Sequence, residues 1–178
     1  MPRRIACLLI ICLAATFSLR LHAQDQNDPL TEEEVQQVRD NAARPNDRIK
    51  LYMKFIQQRL DEIKKAAAET DPKTRRVDLR DKFEEFTRLC DELQDNLDTY
   101  DSEHADIRKA LKELIEATGK WRDGLDAAPQ DPSYDFPQKT ALEAAKSAAD
   151  EAKQLADEQE IYFTAHKDQR NKNGTGPS

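Results

Sequence analysis

Asp101 stands three residues before His104, the spacing of a carboxylate-histidine pair on one helix face. Two such pairs, one from each of two helices, build the di-metal centres of helical proteins. The second pair is absent here, because the residue three before His166 is Phe163. Covalent haem attachment needs Cys-x-x-Cys-His, which the chain lacks. Cys90 has Arg88, Asp91 and Glu92 beside it rather than a basic pocket, so nothing draws its thiol toward the nucleophilic thiolate. Between Phe86 and Leu93 it reads as a small buried hydrophobe. Ser102, Ser133 and Ser147 have no Gly-x-Ser-x-Gly turn around them. The expectation is a chain with no catalytic, cofactor-binding or metal-binding residues, and not an enzyme.

Two groups of residues are candidates for binding a partner instead. Between Arg88 and Arg108 there is no base, while Asp91, Glu92, Asp95, Asp98, Asp101, Glu103 and Asp106 supply seven acids. Their mutual repulsion suits a cation, a basic partner or a neighbouring basic helix, and the alternative is a solvated acidic face. The Asp and Gly spacing of an EF-hand calcium loop is missing. The second group is Trp121, Tyr134 and Phe136, which either line a groove for a ligand or peptide or plug the end of the fold. Asp91, Asp95 and Asp98, with those three aromatic residues, are the candidate partner-binding positions.

The elements that must carry them are helices. Leu79, Phe83, Phe86, Cys90, Leu93, Leu97, Tyr100, His104, Ile107, Leu111, Leu114, Thr118, Trp121 and Leu125 alternate four and three residues apart. That rhythm lays one seam along a helix and requires partner helices to cover it. The unbroken phase predicts a single helix over 73–126, about 80 Å long at 1.5 Å per residue. The weak helix formers Asp98-Thr99-Tyr100-Asp101-Ser102 offer a different division. A turn near residues 100–103 would convert an elongated antiparallel bundle of three long helices into a four-helix up-down bundle. Against that turn, residues 100–103 hold no Gly or Asn for a left-handed cap.

Thr31 and Glu34 have capping-box spacing, and Leu30 and Val35 have the spacing of a hydrophobic staple, so a short helix starts here and breaks or kinks at Pro45. A second helix runs from Asn46 to Glu69, and Thr70-Asp71-Pro72 closes it and opens the next. After a proline-punctuated connection over 127–137, an alanine-rich helix extends from about Gln138 to Lys167. The four glycines of the chain leave none between Gln24 and Thr118, which argues against hairpin-rich β structure. The fold expectation is all-α.

Residues 1–23 read as an export leader. Arg3 and Arg4 precede an apolar run from Ile5 to Phe17, and Leu21-His22-Ala23 offers a cleavage point. Cleavage leaves 25 bases against 35 acids, a net charge of −10, which repels nucleic acid and anionic membrane. Cys90 would be the only remaining cysteine, so stability must come from packing rather than a disulfide. The organisation expected is a leader over 1–23, a polar lead-in over 24–30, one helical domain over 31–167 and a disordered tail over 168–178. The compartment expected is the periplasm or the exterior, with no membrane span after cleavage.

Leu30-Thr31-Glu32-Glu33-Glu34, followed by an amphipathic helix, resembles the Leu-Thr-x-x-Gln motif of small helical periplasmic envelope-stress proteins, with Glu34 where that family has Gln. The resemblance implies a chaperone or stress-regulating role of the holdase kind. The residues themselves point to a secreted or periplasmic interaction protein that binds a protein partner or its own copies. A small metal- or haem-binding bundle using His104 or His166 is the third expectation.

Overall fold

The structure is a computed structural model and describes residues 28–167. The expected export leader, most of the lead-in and the expected disordered tail lie outside those residues. The described residues form five helices and no strand. They are α1 (Glu32–Asp40), α2 (Pro45–Ala67), α3 (Pro72–Ser102), α4 (Arg108–Leu125) and α5 (Asp135–Ala165).

Local chemistry sets most of the boundaries. Thr31 Oγ1 accepts from the Glu34 backbone N–H at 3.2 Å, and the Glu34 carboxylate accepts from the Thr31 N–H at 2.8 Å, a complete capping box. Pro45 begins α2, where its missing N–H is no loss. Asp71 caps α3 through the Thr74 N–H at 2.9 Å, with Pro72 at the first helical position. α5 starts at Asp135, earlier than the expected Gln138, because Pro137 falls in the first turn, where proline is tolerated.

The expected single helix over 73–126 does not form. α3 ends at Ser102, and α4 begins at Arg108. The break is a Schellman motif: the Ala105 N–H bonds the Tyr100 carbonyl, the His104 N–H bonds the Asp101 carbonyl, and His104 takes φ 54°. The left-handed position is therefore residue 104, just beyond residues 100–103. Histidine is one of the side chains that visit this region more readily than most. Two primary amides pin the link from either side. Asn46 at the start of α2 donates to the Asp106 carbonyl and accepts from the Ala110 N–H, at 2.8 and 3.0 Å. Gln159 on α5, 2% exposed, accepts from the Ile107 N–H and donates to the Ala105 carbonyl, at 3.1 and 3.0 Å.

The packing is bundle-like. α2 lies against α3 and α4, and α5 lies against the same two. α3 and α4 meet through the core, where Phe86 and Trp121 make an edge contact with ring centroids 5.9 Å apart. Every stripe position from Leu79 to Leu125 is buried except His104. On α5 the face toward the core is made of Ala141, Ala144, Ala145, Ala148 and Ala152, small enough to bring the backbones close, with Leu155 and Phe163 nearer its end.

α1 is fastened by a buried charge cluster. Arg59 donates to both carboxylate oxygens of Glu34, at 3.2 and 2.7 Å, and to the Pro29 carbonyl at 2.9 Å. Its Nε lies 3.1 Å from Glu85 but out of line for a hydrogen bond, so that contact is Coulombic. Lys82 extends the cluster, 3.0 Å from Glu62 and 3.0 Å from Glu85.

Candidate functional site: the acidic face of α3

The acid-only stretch seen in the sequence becomes the second half of α3 and the link behind it. Its buried positions are Leu89, Cys90, Leu93, Leu97 and Tyr100. Asp91, Asp95 and Asp98 therefore fall on the opposite, exposed side of the same helix. Among the described residues none of these three enters an ion pair, nor do Asp101 and Glu103. Asp106, by contrast, pairs with Arg108 at 2.8 Å.

The flanks of this face hold carboxylates that are harder to ionise. Glu92 accepts from the Tyr52 hydroxyl at 3.1 Å. Its pKa is nevertheless raised, chiefly by burial and also by the charges of Asp28 and Asp95. On α5, Glu151 accepts from Gln94 at 2.6 Å. Burial raises its pKa too, with Asp98 and Asp95 adding to the effect. Asp91 is raised by partial burial and by Asp95. Three carboxylates shifted in one direction, each in part by the charge of Asp95, mark an excess of negative charge that the described residues do not neutralise.

The aromatic candidates separate. Trp121 and Tyr134 are 1% and 0% exposed, so neither offers a surface to a partner in this conformation. Tyr134 packs on Phe83 with centroids 6.0 Å apart, and its hydroxyl donates to the Pro129 carbonyl. Phe136, in the first turn of α5, is 78% exposed and stands apart from both.

The histidines come together without making a metal centre. His104 and His166 each stack on Tyr162, with ring centroids 4.4 Å apart in both cases. Beside them is a pocket of about 190 Å³ lined by Asp101, His104, Glu158, Gln159, Tyr162 and Phe163. Among the described residues no three or more His, Cys, Asp or Glu side chains are placed to hold a metal ion. Cys90 is fully buried, and burial, with Asp91 nearby, pushes its thiol well above the usual range and away from the reactive thiolate.

Among the described residues no helix is long and apolar enough to cross a membrane. Comparison with known proteins returns no match to a family model, a curated protein or a solved structure.

Proposed function

We propose that this chain is an exported, non-enzymatic interaction protein, secreted or periplasmic, whose four longer helices act as a four-helix bundle presenting the acidic face of α3 to a basic surface on a protein partner. The observation that carries the reading is the exposure of Asp91, Asp95 and Asp98 without an ion pair among the described residues. Most acids on the first half of the same helix are paired, so the contrast is local and not a consequence of overall composition. Unpaired like charges on a helix are mildly destabilising, and a basic partner would relieve that repulsion on binding. A holdase role asks instead for a contiguous exposed apolar surface. Phe136 and Ile161, the two most exposed large apolar side chains among the described residues, stand at opposite ends of α5, about 37 Å apart along its axis.

The test is affinity capture from the native extracytoplasmic fraction, comparing the wild-type chain with Asp91→Asn/Asp95→Asn/Asp98→Asn. The reading expects a basic protein held by the wild type at low salt, released at high salt and missed by the variant. Equal recovery by the two chains contradicts it.

A further inference from the structure

α1 is attached differently from every other helix. Its one substantial helix neighbour is α2, against which it folds back through the short link over 41–44. Val38 is its buried apolar side chain, with Val35 half-buried beside it and Pro29 and Leu30 buried just ahead of the helix. The remainder of its hold is polar: Glu34 and the Pro29 carbonyl on Arg59, and a marginal contact at 3.5 Å between Gln37 and Lys54. Nine residues of helix do not persist alone in water, so losing these contacts means melting α1.

The start of α2 does not depend on α1. Pro45 supplies its first helical residue, and Asn46 ties that first turn to Asp106 and Ala110. When α1 leaves, Arg59 keeps Glu85 beside it, and Lys82 keeps Glu62 and Glu85. The cationic groups exposed by opening are therefore still paired and become hydrated, which avoids the penalty of stranding a buried charge.

We propose that residues 28–41 are a strap that opens from α2 as one unit while α2 to α5 stay packed, with the Glu34–Arg59 pair as its latch. Closed, the strap covers Arg59 and the seam around it. Open, it uncovers a guanidinium set among apolar side chains. The latch is separable from the cap, because a glutamine at position 34 still completes a capping box but carries no charge for Arg59.

Hydrogen exchange on the full chain tests this, read by peptide mass. The amides of residues 35–41 should exchange about 100-fold or more faster than those of residues 49–63, yet slower than an unstructured peptide. Glu34→Gln should speed exchange over 35–41 by about 10-fold, the scale of a charge-assisted hydrogen bond, while α3 to α5 stay unchanged. Val38→Ala, which trims the strap's apolar contact, should act on the same amides and no others. Exchange of 35–41 in step with 49–63 would overturn the proposal. So would exchange at the unstructured rate in the wild type, or a Glu34→Gln effect spread evenly over all five helices.

Discussion

The outer surface of α3 is two surfaces. On its first half, Asp81, Glu84 and Glu85 each meet a cation, and Glu85 joins the buried cluster around Arg59. On its second half, Asp91, Asp95 and Asp98 meet none among the described residues, and the carboxylates on the flanks are harder to ionise than usual. One helix thus carries charge used to hold the fold and charge left available. The difference shows that the number of acids on a helix says little about their role. What decides it is whether the neighbouring helices bring a base within reach, and only the packing reveals that.

The largest expected effect comes from breaking the paired half. Arg59→Met leaves the buried Glu34 without its cation, while Glu85 keeps Lys82, and should cost about 3 kcal/mol in denaturant unfolding. A loss under 1 kcal/mol would mean that the cluster is no better paired than the free acids. On the other half the sign reverses. Asp95→Lys removes a repulsion and adds an attraction, and should raise stability by up to about 1 kcal/mol.

Acid titration should separate the halves further. Glu92 and Glu151 have pKa values raised above 4.5 by burial, so their contribution grows as pH falls through that raised range and is lost as pH rises through it. Glu34 behaves oppositely. Burial alone would raise its pKa, but the hydrogen bonds from Arg59 and the Thr31 N–H outweigh that and lower it below 4.5. Its contribution is complete above 4.5 and fades as pH falls through the lowered value. Tm should therefore rise as pH falls through the raised pKa values of Glu92 and Glu151, and fall again once pH drops through the lowered value of Glu34. Glu151→Gln should flatten the rise and leave the fall in place.

The smallest effect is that of salt. Screening relieves repulsion between exposed acids more than it weakens a buried pair. Moderate salt should raise the wild-type Tm slightly and leave that of the Asp91→Asn/Asp95→Asn/Asp98→Asn variant nearly fixed. Equal slopes for the two chains would show that the exposed acids do not repel one another appreciably.

Much of this fold can be read from residue spacing. The capping box at Thr31, the break at Pro45, the start at Pro72 and the buried stripe all follow from short-range rules, and the structure has them. The break at residues 103–107 lies beside the turn that the weak helix formers 98–102 allow, and two physical features argue against it in the sequence. The stripe keeps its phase across the interruption, because Ile107 and Leu111 fall on the same rhythm as Leu97 and Tyr100. The left-handed cap is a histidine, a residue type not among the usual signals. Gln159 carried the missed clue. It follows Ala148, Ala152 and Leu155 on the buried register of α5, and an amide there needs polar partners, which the link supplies.

The candidate site was legible only as composition. The acids between Arg88 and Arg108 stood out in the sequence, but whether a basic helix would cover them depended on contacts that no local pattern encodes. The aromatic trio shows the same limit. Trp121 lies on the stripe and is buried with it, Tyr134 folds back onto Phe83, and Phe136, only two residues further on, stands in solvent.

The central claim, that the acids of the second half of α3 serve a contact beyond the chain and not the fold, is tested most directly by the thermal stability of Asp91→Asn/Asp95→Asn/Asp98→Asn in low salt. The account predicts an unchanged helical signal and a Tm equal to or above that of the wild type. A Tm several degrees lower would show that these carboxylates hold the structure together, and would contradict it.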